Sequence, residues 1–314
     1  EPPTSWQSPR QAGMHDDSGL DLLASTAELI AVPSESLLED RLADLVESEL
    51  RALAHLEVER VGHNVVARTT LGRPLRLMLA GHLDTVPANG NAQPRLEGDV
   101  LYGLGATDMK GGLAVMLALA RTMSQPAMDV TWVFYAAEEI SAVHNGLAQL
   151  FRERPLLMEA DAAILGEPTS AVIEAGCQGT LRVKITLLGA RAHTARAWMG
   201  RNAIHRAGEL LQRLVAYEPR RPVLDGCEFH EAVQAVGIEG GVAGNVVPDE
   251  VTVTVNVRFA PDRSAMEAEH HLQELLKGVV EPDDRWEVVD RSDSAAPGLD
   301  HPLLNALRVR SGRP

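Results

Sequence analysis

Four short segments, each closing an apolar run, hold the residues whose types could do chemistry. His82 and Asp84 lie in His82-Leu83-Asp84-Thr85-Val86-Pro87, directly after the run Leu75 to Gly81. Asp108 lies in Gly103-Leu104-Gly105-Ala106-Thr107-Asp108-Met109-Lys110-Gly111-Gly112. The pair Glu138-Glu139 follows the apolar run Thr131 to Ala137, and Glu167 lies in Gly166-Glu167-Pro168-Thr169. One imidazole among several carboxylates is the donor set of a hydrolytic zinc centre, where the cation acidifies a water and polarises a carbonyl. On a strand, residues two apart face the same way, so Asp84 can orient the His82 ring from behind. Adjacent carboxylates after an apolar strand repel each other unless a cation sits between them. Taken singly, each piece also has an ordinary structural reading. His82 can be a core histidine and Asp108 a helix N-cap, while Glu138, Glu139 and Glu167 can be solvated loop carboxylates. Four such pieces on successive strand ends of one sheet point together to a metal site.

The elements that must position these residues are legible from periodicity. Strand-like runs lie at Val61 to Thr69, Leu75 to Ala80, Val130 to Ala136 and Ala162 to Leu165. Helical spacing covers Leu20 to Ile30 with Ser18 as its cap, then Ser36 to Leu53, then Gly112 to Met123. Strands alternating with helices predict an α/β domain, a mixed sheet with helices on both faces and ligands at the strand C-termini. The texture changes after Ala175. Thr180 to Leu188 and Val251 to Arg258 alternate polar with apolar residues, as half-exposed antiparallel strands do, and helical patterns lie at Asn202 to Val215 and Ser264 to Leu276. These predict an inserted α+β domain over 176–288. The first domain would then comprise 14–175 plus 289–314, preceded by a polar, Pro-rich, disordered extension over 1–13, with Met14 as the natural start.

Bulk properties exclude some functions. A chain of 314 residues is long for one core, so two domains are expected. The net charge of −15 argues against a nucleic-acid surface, yet leaves room for an anionic small substrate held by a local arginine. The two cysteines, Cys177 and Cys227, read as reduced thiols. No run approaches the roughly 20 apolar residues of a membrane helix, and residues 1–13 lack the apolar core of a signal peptide, so no membrane partner and a cytoplasmic location are expected.

The four motifs resemble the M20 metallo-aminoacylases and dipeptidases, whose hallmarks are His-x-Asp-Thr-Val-Pro, Gly-x-Gly-x-x-Asp-Met-Lys-Gly-Gly, Glu-Glu and Gly-Glu-Pro-Thr. The resemblance spans roughly residues 18 to 305. Within that family, Ile173 to Arg182, Arg191 to His205 and Gly244 to Glu250 are similar to the succinyl-diaminopimelate desuccinylases of the actinobacterial type. The resemblance implies a zinc hydrolase domain with a ferredoxin-like lid and dimerisation insert. The implied reaction is removal of succinate from N-succinyl-LL-2,6-diaminopimelate in lysine and diaminopimelate biosynthesis. Deacetylation of acetylornithine and dipeptide hydrolysis, which use the same zinc ligands, are the alternatives. It implies two zinc ions per subunit, with cobalt as a substitute: Asp108 bridging, His82 and Glu167 completing one site, Glu139 binding the other. Glu138 would be the general base. His193 would reach a dimer partner's site to stabilise the oxyanion, and Asn245 and Arg258 would hold an N-acyl amino acid substrate. The peptide bond after Asp108 would be cis. The family's second zinc takes a further C-terminal His, which has no match before Pro314. His301 falls where the family begins a helix, so a weakened second site, and with it an impaired, shortened homologue, is a further expectation.

Overall fold

The computed structural model describes residues 21–170 and 172–311. The expectations for residues 1–13, Met14 and the Ser18 cap fall outside these. The chain divides after Ala171 into two compact units.

In the first unit, Asp21 caps helix α1 (Leu22–Ile30) by accepting from the Ala24 N–H at 2.9 Å. Helix α2 spans Asp40–Arg51, so the helical pattern beginning at Ser36 starts too early. Leu37 has φ 73°, which a right-handed helix cannot contain, and residues 34–36 bond instead to Thr85. Strands β1 (Glu57–Val61) and β2 (Asn64–Arg68) form a hairpin that turns at Gly62, with φ 59°. The continuous strand expected from Val61 to Thr69 is therefore the end of one strand and the whole of the next. Strand β3 (Arg76–His82) follows, then the short hairpin β4 (Arg95–Glu97) and β5 (Val100–Tyr102). Helix α3 (Gly111–Thr122), strand β6 (Asp129–Tyr135), helix α4 (Gly146–Glu153) and strand β7 (Ala162–Leu165) complete the unit.

The sheet order is β1-β2-β6-β3-β7, with β6, β3 and β7 parallel and the β1–β2–β6 side antiparallel. Every residue of β6 is buried, because both faces of the sheet are covered. Trp132 and Phe134 pack with α1, α2 and α3 on one face, and Val133 and Tyr135 pack with Leu150 of α4 on the other. The mixed sheet with two helical faces matches the α/β expectation. Three neighbouring parallel strands thus end on one edge, where His82 closes β3 and from which the loops carrying Glu138-Glu139 and Glu167 leave.

The second unit contains β8 (Gly179–Leu188), β9 (Ala192–His193), α5 (Ala203–Val215), β10 (Val223–Leu224), β11 (Cys227–Glu228), β12 (Ala232–Gly240), β13 (Val246–Val247), β14 (Glu250–Phe259), α6 (Ala265–Leu275), β15 (Arg285–Ser292) and α7 (Pro302–Ser311). Its antiparallel sheet has the order β12-β14-β8-β15, and the long elements run β-α-β-β-α-β, the ferredoxin-like succession expected. Leu181, Val183 and Ile185 of β8 and Val251, Val253 and Val255 of β14 face Leu210 of α5 and Leu272 of α6, while Lys184, Thr252 and Thr254 alternate onto the other face. Asn202 caps α5, and Ser264 with Glu267 forms a capping box on α6. Strand β15 extends the sheet to Ser292, and α7 belongs to the same compact unit. Among the described residues no helix is long and apolar enough to cross a membrane.

Candidate metal centre

The C-terminal end of β3 delivers His82, which is 1% exposed. Its Nδ1 lies 3.0 Å from the Asp84 carbonyl oxygen and 3.5 Å from the Asp84 carboxylate. A carbonyl only accepts, so Nδ1 carries the proton and Nε2 is the atom turned to the acidic groups. Nε2 lies 2.9 Å from Asp108 Oδ1 and 4.0 Å from Glu167 Oε1. One donor atom from each of His82, Asp108 and Glu139 falls within 4.8 Å of the others. A tetrahedral zinc with bonds of roughly 2 Å sets its donors roughly 3.3 Å apart, so small side-chain rotations would bring these atoms onto a cation. The donor set, one nitrogen with carboxylate oxygens, suits such an ion.

Electrostatics agree with that fit. Burial opposes charge on the His82 ring, but its bonds to Asp84 and Asp108 outweigh burial and raise its pKa to about 9. Burial and the Asp108 charge raise the pKa of Glu139. Burial raises that of Glu167, opposed by His82 and assisted by Asp108. Several carboxylates converging on one point disfavour their own ionised forms unless a cation compensates them.

Asp84 is fully buried and holds more than the imidazole. Its carboxylate accepts from the Ser36 hydroxyl at 2.7 Å and from the backbone N–H groups of Glu138 and Glu139 at 2.9 and 3.1 Å. Burial works against its charge, but these bonds and His82 keep its pKa below the usual aspartate value. Asp84 therefore orients His82 through its main-chain carbonyl and holds the backbone of the Glu138-Glu139 pair through its carboxylate.

Asp108 sits just before α3, and the Asp108–Met109 peptide bond is cis, as the resemblance implied. Met109 is fully buried, and its sulfur accepts from the His82 backbone N–H at 3.1 Å. Its methyl group lies against backbone that only glycine allows: a Cβ at Gly166 would stand 2.9 Å from it, and a Cβ at Gly112 only 2.5 Å from the Gly166 carbonyl. The Met-Lys-Gly-Gly run is thus a packing device that brings α3 onto the ends of β3 and β7. Lys110 is also buried; its ammonium donates to the carbonyls of Leu29 and Val32 at 3.0 and 2.9 Å, and burial lowers its pKa to about 8. A cleft of about 360 Å³ opens beside Asp108 and Glu139, lined also by Thr85, Val86 and Leu104.

The structure brings together His82, Asp84, Asp108, Glu138, Glu139 and Glu167 in the first unit. His193, Asn245 and Arg258 lie in the second. There β9 pairs with β13, setting His193 opposite Val246, and the Thr194 N–H donates to the Asn245 carbonyl at 3.0 Å, so His193 and Asn245 are neighbours. His193 is exposed, and its Nδ1 accepts from the Ala195 N–H at 3.1 Å. Arg258, on the solvated face of β14, donates to the Thr180 hydroxyl. His301 immediately precedes α7, the helix-start position expected of it. Sequence reasoning missed Ser36, Glu39 and the packing of Met109. Only the Met-Lys-Gly-Gly spelling gave any local signal for the last.

This architecture, a metal-facing α/β sheet with a βαββαβ unit, defines a two-unit metallohydrolase. Residues 78–309 match Peptidase family M20/M25/M40, and the chain belongs to that family of metal-dependent amide hydrolases. It is 51% identical over 293 residues, 93% of this chain and 82% of the relative, to a putative succinyl-diaminopimelate desuccinylase of Mycobacterium tuberculosis. It is 42% identical over 304 residues, 94% of this chain and 82% of the relative, to the succinyl-diaminopimelate desuccinylase of Corynebacterium glutamicum. Among solved structures, a tripeptidase of Staphylococcus aureus superposes with a TM-score of 0.72 at 21% identity, covering 93% of this chain and 82% of that one. An M20 family metallo-carboxypeptidase of Sulfolobus solfataricus gives 0.73 at 15% identity, covering 93% and 83%. These last two show the shared fold.

Proposed function

We propose that the chain is a zinc-dependent hydrolase that releases succinate from N-succinyl-LL-2,6-diaminopimelate. The observation that carries the metal chemistry is the convergence of His82, Asp108 and Glu139, with Glu167 4.0 Å from His82. The similarity to two desuccinylases over more than nine-tenths of the chain supports the substrate. His82, Asp108, Glu139 and Glu167 would hold zinc, or cobalt in its place, with Asp108 shared between two ions. When bound, the cations acidify water and polarise the scissile carbonyl. Glu138 takes the proton from the attacking water and passes it to the departing amine. Asp84 keeps the His82 ring and the Glu138 backbone in register for this.

The second unit supplies substrate contacts. With Nδ1 of His193 accepting from Ala195, a neutral ring carries its proton on Nε2, a donor suited to a developing oxyanion. Asn245 offers amide donors and acceptors, and the Arg258 guanidinium suits a substrate carboxylate. We read residues 14–175 with 289–314 as the metal domain and residues 176–288 as a lid and dimerisation domain, with His193 serving the neighbouring subunit. The sheet edge at β12 favours that reading, because Val236 and Ile238 are 58% and 52% exposed there.

The test is succinate release by the purified chain loaded with zinc, with acetylornithine and dipeptides run alongside. Release that a chelator stops and added zinc or cobalt restores is expected. A metal-loaded chain that leaves the succinyl substrate intact, or turns over acetylornithine or dipeptides faster, overturns the substrate assignment.

A further inference from the structure

We infer that Glu39 is a positioning residue for the Glu138-Glu139 pair. Glu39 is fully buried at the N-cap position of α2, yet makes no side-chain cap to that helix. Its Oε1 instead accepts from the Leu37 N–H at 2.9 Å and from the Ala137 N–H at 3.1 Å, and its Oε2 meets His63 Nδ1 at 2.8 Å. Ala137 directly precedes Glu138 and has φ 57°, a conformation that a residue with a Cβ rarely adopts. Three successive N–H groups, those of Ala137, Glu138 and Glu139, are therefore each held by a buried carboxylate: the first by Glu39, the other two by Asp84. The left-handed turn at Ala137 aims both acidic side chains, and the bond from its N–H to Glu39 holds that turn.

The loop that carries Glu39 is itself fastened to the other side of the site. The Ser36 hydroxyl bonds Asp84 at 2.7 Å, the Ser36 N–H donates to the Thr85 carbonyl at 3.2 Å, and the Thr85 N–H donates to the Ser34 carbonyl at 2.9 Å. Residues 34–39 thus tie the His82–Thr85 segment to the Ala137–Glu139 segment. Among the described residues Glu39 has one imidazole partner and no arginine or lysine, a burial that is costly unless each carboxylate oxygen is satisfied, and here each is. Glu39 acts through Ala137 and touches no reacting atom.

This inference rests on reading Glu138 as the base and Glu139 as a metal ligand, so its test has a metal-free arm. Amide hydrogen exchange is measured on the metal-free full chain, and Co2+ binding is titrated separately. The wild type is compared with Glu39→Leu, Glu39→Gln and a folding control, Asp129→Asn, at the opposite end of β6. Glu39→Leu should speed exchange at the Ala137 amide about tenfold or more by local opening. It should also weaken Co2+ binding about tenfold, whereas Glu39→Gln, whose carbonyl oxygen still accepts both N–H groups, should stay within about threefold. Asp129→Asn should lower stability and leave Co2+ affinity alone. Unchanged Ala137 exchange in Glu39→Leu, or an equal loss of Co2+ binding in Asp129→Asn, overturns the inference. Should Glu39→Leu fail to fold, Glu39→Asp, one carbon too short to reach both amides, decides by the same two readings. A wild type that neither binds Co2+ nor releases succinate defeats the functional reading, while the exchange result still judges Glu39.

Discussion

His82 and His193 are the two histidines of the proposed site residues, and the molecule holds them in opposite ways. His82 is 1% exposed, with both ring nitrogens engaged and its backbone N–H bound to Met109. His193 is exposed on a two-residue strand, with one ring nitrogen bonded to the next turn of its own loop. The difference fits the roles proposed for each. A metal ligand has to keep a fixed bond length and angle, which takes packing and hydrogen bonds from several elements. A residue that meets a substrate arriving from solvent needs a free donor and an accessible position. The first unit thus holds His82 in a buried network, and the second leaves His193 exposed.

The sharpest way to break this contrast is at the base. Glu138→Gln should cut kcat by about 10³-fold, with metal content unchanged by elemental analysis. Activity close to wild type would remove Glu138 from the reaction. His193→Ala should cost about 10² to 10³ in kcat while leaving metal content and unfolding midpoint in place. If His193 serves a neighbour, mixing His193→Ala with Glu138→Ala chains should recover activity; no recovery despite confirmed subunit exchange would sink the partner role.

Asp84→Asn should weaken zinc or cobalt binding about 10- to 100-fold, as the two glutamate amides lose their charged acceptor and the imidazole loses the carboxylate charge beside it. Equal loss of metal from His193→Ala would erase the distinction between the two regions. Arg258→Ala should raise KM about tenfold at nearly constant kcat, the effect of losing one charged hydrogen bond to bound substrate. A kcat loss instead would move Arg258 from binding to catalysis.

The smallest expected effect lies in the frame beneath the metal end. Asp129 begins β6 and is buried, and it accepts from the Thr69 hydroxyl at 2.7 Å and from the Leu71 and Arg73 N–H groups at 2.9 and 2.8 Å. Burial opposes its charge, but these bonds bring its pKa down to about 2. Because the folded value lies below the unfolded one of about 3.9, the carboxylate stabilises the fold above that pH, and its contribution fades as pH falls through about 2. Asp129→Asn should cost about 2 kcal/mol at neutral pH and flatten the stability curve between about pH 4 and 2. An unchanged acid limb in thermal melts at stepped pH would show that other groups control it.

What was legible in the sequence was what periodicity and strand ends encode. His82 ends β3, and Glu138, Glu139 and Glu167 follow β6 and β7, so their gathering at one sheet edge followed from the α/β reading, whereas Asp108 ends no strand of that sheet and lies in the turn into α3. Glu39 was not legible, because it resembles the charged start of an amphipathic helix and its contact with Ala137 spans 98 positions. The same helical spacing drew Ser36 into α2, although its hydroxyl belongs to Asp84. Strand β12 was missed because nearly all of it is exposed, so it has no buried face to impose alternation. The hairpin at Gly62 was hidden because β1 carries Glu57, Glu59 and Arg60, so only its last residue, Val61, joined the apolar run of β2.

The enclosure of Met109 gives the protein a built-in reporter. Its methyl group packs against Gly81, Gly112 and Gly166, the residues next to His82, at the start of α3 and next to Glu167. In a chain labelled with carbon-13 at methionine methyls, the Met109 signal would read the spacing of those backbones directly. Loading the site with a diamagnetic ion should shift that one resonance sharply, while the exposed methyl of Met199 holds still. Loading could thus be followed in solution without substrate and without touching a ligand.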